Sequence, residues 1–226
     1  MEPILHAVGD SAIQVNFGND ISPTTNQRVS GLAKAIQTNK LAGIIDLTPT
    51  FNSLLIHYDP LLLPYAQIRE YLISMSENLK EGEAGLYKVH EIPVLYGKEH
   101  GPDLDYVAKN SGLTAEQVID LHSSKEYLIY MLGFMPGFPY LGGLEEILHT
   151  PRLAVPRKLI PAGSVGIGGA QTGIYPLDSP GGWQLIGQTP LNVYEQGREK
   201  PVLYEAGDYI RFVPITKEQF DEMKTD

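Results

Sequence analysis

Arg152, Arg157 and Lys158 stand in a stretch, residues 150–177, that contains no acidic residue. The whole chain carries a formal net charge of −10, which makes this stretch a local positive island. Arginine presents a planar fork of N–H donors that matches the two oxygens of a carboxylate or phosphate. The residue types therefore suit anion binding. The alternative is that both arginines satisfy backbone carbonyls or pair with Glu145, Glu146 or Asp178. Just upstream, GFMPGFPYLGG at 133–143 interleaves Phe134, Phe138 and Tyr140 with turn-forming residues. Aromatics held on such backbone either line a groove or bury one another in a compact loop. Downstream, the only tryptophan, Trp183, follows the tight-turn sequence DSPGG at 178–182. It is either a core residue at a corner or one wall of a site.

Other motifs fail. GIGGAQ at 166–171 has glutamine where a dinucleotide fingerprint needs its last small residue, and no helical pattern follows it. There is no GxxxxGK[ST] loop, and Gly163-Ser164-Val165-Gly166 is not a nucleophile elbow. The six histidines show neither HxH nor HxxxH spacing, which argues against a zinc site, and no metal site is expected from this chain alone. No residue is singled out as catalytic.

The elements that must position these residues fall into two halves. Residues 12–17, 44–47 and 54–58 read as strands. Ser22-Pro23 starts a helix carrying Val29, Leu32, Ala33 and Ile36 at helical spacing. A second helix from about residue 64 carries Tyr65, Ile68, Leu72, Met75 and Leu79, and a strand near 86–90 closes the set. The expected order is β-α-β-β-α-β, the ferredoxin-like pattern. From residue 92 the helical signal shrinks to 102–109 and 114–122, the second opened by a Thr114-x-x-Gln117 capping box, and a short helix from Thr216. Between Gly133 and Gly187 lie twelve of the 23 glycines and seven of the 17 prolines. That density breaks helices and predicts a β-barrel or sandwich with tight corners. The expected class is α+β, with domains at 1–84 and 85–226 and a boundary in the polar stretch 80–85.

Composition narrows the function. Hydrophobic residues make up 42% and charged residues 19%, as in a folded protein. The acidic balance argues against nucleic acid or an anionic membrane as the main partner. With no cysteine, disulfide and thiolate chemistry are excluded. No apolar run approaches the roughly 20 residues of a membrane span, and the start MEPILHAVGD is too acidic for a signal peptide. A soluble cytoplasmic protein is expected.

Three long runs, YMLGFMPGFPYLGGL, TPRLAVPRKLIPAGSVGIGGAQTGIYPLDSPGGWQLIGQTP and AGDYIRFVPI, together with GDSAI at 9–13 and the stretch 46–59, closely resemble the family of the 5-oxoprolinase B subunit. That family includes the kinase inhibitor KipI and the protein named allophanate hydrolase subunit 1. The resemblance covers nearly the whole chain, in order. It implies an N-terminal α/β domain and a C-terminal cyclophilin-like β-barrel. It also implies partners: together with a KipA-like C subunit and an A subunit, such a chain hydrolyses 5-oxo-L-proline to L-glutamate using ATP. The ATP, with its accompanying Mg, would be bound here or by one of the partners. The rival reading is a KipI-like protein that blocks autophosphorylation of a sporulation histidine kinase. A urea- or allophanate-type carboxyl transfer ranks last, since it needs a biotin-bearing partner.

On the first reading the chemistry is the activation of a stable lactam. Phosphorylating its carbonyl oxygen would make a leaving group, and such a site needs cations. Arg152 and Arg157 are the candidates for holding carboxylate or phosphate. Gln171 and Tyr175 would orient the lactam N–H and carbonyl. Phe134, Phe138, Tyr140 and Trp183 would supply the groove wall.

Overall fold

The computed structural model describes residues 3–20, 22–77 and 87–224. The chain divides into two compact units, Met1–Tyr87 and Lys88–Asp226. The boundary expected after residue 84, the stripe residue Leu79 and residue 86 of the expected closing strand lie outside the described residues.

The first unit runs β1 (Ile4–Val8), β2 (Ala12–Asn16), α1 (Pro23–Asn39), β3 (Ile44–Pro49), β4 (Ser53–Tyr58) and α2 (Tyr65–Glu77). Ser22 caps α1 by accepting from Thr25 N at 3.2 Å, with Pro23 at the first helical position. The helix stops where Lys40 turns left-handed at φ 46°. Val29, Leu32, Ala33 and Ile36 of α1, with Ile68 and Leu72 of α2, bury against Ile13, Val15, Leu54, Ile56 and Tyr58 of the sheet.

The sheet order is β1-β2-β4-β3. β2 and β3 each pair antiparallel with β4, so they run parallel to one another with β4 between them, the split βαβ arrangement. The fourth strand corrects the expected order. It is β1, joined to β2 by a hairpin at Gly9, φ 67°, and not a strand following α2. The unit is therefore β-β-α-β-β-α. Four of the five residues of β1 are exposed. Only Leu5 of this edge strand packs against the core, so its sequence has little alternating burial to record.

The second unit contains β5 (Val89–Tyr96), α3 (Leu104–Ser111), α4 (Ala115–Ser123), β6 (Glu126–Leu132), β7 (Pro139–Gly142) and a single 3₁₀ turn at Glu146–Leu148. Then follow β8 (Arg157–Ile160), β9 (Ser164–Gly168), β10 (Gln171–Ile174), β11 (Ser179–Gly181), β12 (Gln184–Gln188), β13 (Tyr209–Pro214) and α5 (Lys217–Lys224). Seven strands close a barrel in the order β10-β7-β6-β13-β5-β12-β9, while β8 and β11 form a separate two-stranded ribbon. The strand expected near 86–90 is the start of β5, which pairs in parallel with β13 inside this barrel. The capping box on α4 forms as expected. No helix among the described residues is long and apolar enough to cross a membrane.

The barrel interior is filled by Ile92, Val94, Val165, Ile167, Ile174, Ile186 and Phe212. Into it α4 projects His122, which is fully buried. Its Nδ1 lies 2.8 Å from the Tyr96 hydroxyl and its Nε2 2.7 Å from Thr172 Oγ1, and its ring stacks on Phe212 with centroids 4.5 Å apart. Burial holds the imidazole pKa down to about 3, which keeps it neutral. In the unfolded chain the imidazole returns to about 6.5. Between those values the unfolded state binds the extra proton, so stability present above about pH 6.5 is lost as the pH falls towards 3. The slope from this residue is at most about 1.4 kcal/mol per pH unit. Denaturant unfolding of the parent and of His122→Gln, compared at about pH 7 and about pH 5, checks this. The variant is expected to lose less stability than the parent across that interval.

Candidate functional site

The glycines of β9 and β10 decide where the aromatic residues can sit. Along β9, Val165 and Ile167 point into the barrel and Gly166 and Gly168 point out. In the facing register Gln171 lies opposite Gly168 and Gly173 opposite Gly166, so these four share the outer face of the hairpin. A Cβ on Gly168 would lie 2.4 Å from Cδ1 and Nε1 of the Trp183 indole. One on Gly173 would lie 3.2 Å from Trp183 Cζ3 and 3.3 Å from Phe138 Cζ. The rings rest directly on backbone, which is why β9 is buried along its whole length.

The aromatics form a cluster distinct from the barrel interior: Phe138, Ile160, Tyr175, Trp183 and Leu185, with Met135 and Tyr140 against it. Phe138 is its hub. Its ring makes edge contacts with Phe134 at 5.5 Å, Tyr140 at 5.2 Å, Tyr175 at 5.4 Å and Trp183 at 5.5 Å. Such pairs contribute about 0.5–1.5 kcal/mol each beyond area burial. Trp183 is 5% exposed and Tyr175 2%, whereas Phe134 is 64% exposed and held at φ 63°, a left-handed conformation unusual for an aromatic residue. Both readings of Trp183 hold in part. It is buried, but in this outer layer and not in the barrel.

The two arginines do different jobs. Arg157, at the start of β8, donates from Nη2 to Asp103 Oδ1 at 2.7 Å and from Nη1 to the Trp183 carbonyl at 3.3 Å. The other oxygen of Asp103 accepts from Leu185 N at 2.6 Å, and Asp103 N donates to Leu185 O at 2.9 Å. Arg157 and Asp103 thus clamp β8, β12 and the entry to α3. The partner is Asp103 and not Glu145, Glu146 or Asp178: Glu145 pairs with Lys125, and Asp178 accepts from Ala162 N. Arg152 is exposed, its guanidinium carbon 5.8 Å from the centroid of the Trp183 ring. Its loop is tethered by Leu153 N to Gly182 O at 2.7 Å and by Gln184 Nε2 to Pro151 O at 2.8 Å. No carboxylate among the described residues pairs with it.

Burial pushes the Tyr175 phenol above its usual value, opposed by a hydrogen bond from the Trp183 backbone and by the charges of Arg152 and Arg157. The structure therefore gathers Arg152, Arg157, Tyr175, Phe138, Tyr140, Phe134 and Trp183 into one region, with Gln171 on the hairpin face that carries them. What this arrangement can do is hold a small anion at its rim, against an apolar wall. Among the described residues no group of three or more His, Asp or Glu is placed to hold a metal ion.

Residues 3–204 match the family model described as carboxyltransferase domain, subdomain C and D. The 5-oxoprolinase B subunit of Bacillus subtilis (strain 168) is 42% identical over 97% of this chain and 96% of its own. That of Escherichia coli O157:H7 is 42% identical over 92% and 94%. The chain belongs to the family of 5-oxoprolinase B subunits. Among solved structures, TTHA0988 superposes with a TM-score of 0.81 at 39% identity over 91% of this chain, which spans only 40% of that longer one.

For a member of this family, residue-by-residue reading of the sequence missed Asp103. An acid at a helix start reads as a cap, and nothing local ties it to Arg157, 54 positions away. The outward glycines were visible as a composition bias, but only the register shows that they carry the indole. Two outcomes follow. Gly168→Ala is expected to cost about 1–3 kcal/mol by overpacking against the indole and to shift Trp183 fluorescence. Arg157→Ala is expected to cost about 1.5–3 kcal/mol, the range for hydrogen bonds to charged groups, while Arg152→Ala leaves the denaturation midpoint near that of the parent.

Proposed function

We propose that this chain is the B subunit of an ATP-dependent 5-oxoprolinase, acting with A and C subunits to convert 5-oxo-L-proline to L-glutamate in the cytoplasm. The observation that carries the reading is the exposed Arg152 guanidinium, held on the Trp183 ring at the edge of an aromatic wall, in a chain similar end to end to proteins of that name. A five-membered lactam carrying a carboxylate has two needs, a cation and a flat apolar surface. Arg152 supplies the first, and Phe134, Tyr140 and the Trp183 edge supply the second. Gln171 and Tyr175 are assigned to the lactam polar atoms. Arg157 acts by fixing the strand that carries Trp183.

The same residues fit Mg-ATP incompletely. One exposed guanidinium matches a single anionic group; among the described residues no carboxylate cluster accompanies it, and the sequence has no GxxxxGK[ST] phosphate loop. The nucleotide is therefore assigned to a surface shared with, or supplied by, another chain of the complex. The cyclophilin-like form of the barrel belongs to this reading, through the family resemblance.

The test is reconstitution with the A and C subunits and measurement of 5-oxoproline-dependent ATP hydrolysis. Arg152→Ala is expected to lower kcat/KM roughly ten- to a hundred-fold, the equivalent of one charge-assisted hydrogen bond, with the complex still assembling. Full activity in the absence of this chain would overturn the proposal. The carboxyltransferase description of the family model favours one further reading, carboxyl transfer with a biotin-bearing partner. Bicarbonate-dependent and 5-oxoproline-independent ATP hydrolysis would be its signature.

A further inference from the structure

The partly buried Tyr96 and the fully buried His122 and Thr172 take no part in the outer aromatic layer, yet they end on its floor. Thr172 lies on β10 between Gln171 and Gly173, and its side chain points the opposite way, into the barrel. Its hydroxyl donates to the carbonyl of Gly166 on β9 at 3.1 Å. A hydroxyl has one proton. With that proton committed to Gly166, Thr172 Oγ1 must accept from His122 Nε2, 2.7 Å away. The neutral imidazole then carries its proton on Nε2, and Nδ1 must accept from the Tyr96 hydroxyl at 2.8 Å. Each proton has one direction: Tyr96 to His122, His122 to Thr172, Thr172 to Gly166.

We propose that His122 is a positioning residue for the candidate site, acting through Thr172 to fix the β9–β10 hairpin whose outer face carries Trp183 and Phe138. Several features make the chain of hydrogen bonds stiff. The phenol of Tyr96 is raised well above its usual range, by burial first and by Tyr127, so it stays a donor. The His122 ring is gripped by Phe212 at 4.5 Å and Tyr127 at 5.5 Å, and its carbonyl accepts from the Tyr127 hydroxyl at 2.8 Å. Gly166, where the relay ends, lies directly opposite Gly173 in the hairpin. A Cβ on Gly173 would lie 3.2 Å from Trp183 Cζ3 of the indole, and one on Gly166 would lie 3.0 Å from the Gln184 carbonyl and 3.4 Å from Trp183 Cβ. Loss of the hydroxyl on the barrel side would loosen the backbone that the rings rest on. This role deepens the 5-oxoprolinase reading, but its test uses neither substrate nor partner chains, so the two stand or fall separately.

Trp183 is the only tryptophan, so its fluorescence reports the site alone. In Thr172→Val, folded and well below its unfolding midpoint, the emission maximum is expected to move to longer wavelength and acrylamide quenching to rise. Thr172→Ser, which keeps the hydroxyl, is expected to restore the parent values. A Thr172→Val protein that melts earlier but keeps the parent emission and quenching would reduce the relay to core packing and overturn the proposal. Should Thr172→Val fail to fold, ¹⁵N NMR of histidine-labelled parent protein decides. His122 is expected as the neutral tautomer protonated on Nε2, and the Nδ1–H tautomer or a charged ring would refute the assignment.

Discussion

Everything in the candidate site depends on an indole ring packed on two outward glycines, Gly168 and Gly173, of a β-hairpin. A ring packed on backbone cannot be accommodated by rotamer adjustment of the layer below, because that layer has no rotamers. Its position is as fixed as the hairpin itself. Two groups of contacts supply that fixity from opposite sides. Val165, Ile167 and Ile174 bury into the barrel under the hairpin, and Arg157, held by Asp103, ties the far end of the same strand network through the Trp183 carbonyl.

The result is a division of labour between two neighbouring arginines of the same charge. Arg157 spends both ends of its guanidinium on the protein, and the acid that neutralises it is itself held by the backbone of Leu185. Desolvating such a pair is tolerable because its charged atoms keep close hydrogen-bond partners. Arg152 sits over the Trp183 ring and is exposed. Charge at the site is thus set by one residue and geometry by the other.

Much of this was readable in the chain, for physical reasons that differ by residue. Ser22-Pro23 and Thr114-x-x-Gln117 announced their helices, because caps are local chemistry and act within three residues. The aromatics at 134, 138 and 140 and Trp183 meet around Phe138, where the sequence left groove lining and mutual burial both open. Asp103 escaped notice because its partner is remote in sequence. His122 escaped because a single buried histidine looks like any other until its two nitrogens are matched to Tyr96 and Thr172. The edge strand β1 was missed and β5 misplaced for one common reason. Pairing partners in a sheet are chosen by tertiary geometry, and an exposed edge strand carries little pattern of its own.

The strand pairings also bear on how each unit acquires its shape during synthesis. The first sheet is closed by its own earliest strand, so all four strands have been made once β4 is complete. The barrel is different. Its β5 must wait for β13, and Glu91 and Arg211, which pair across that seam, are 120 residues apart. Closing so long a loop is slow, and the waiting strand edges are exposed meanwhile. A ribosome releasing this chain would therefore present an N-terminal unit able to fold early beside a barrel that stays open until nearly its last strand emerges, the interval in which a chaperone would have most to protect.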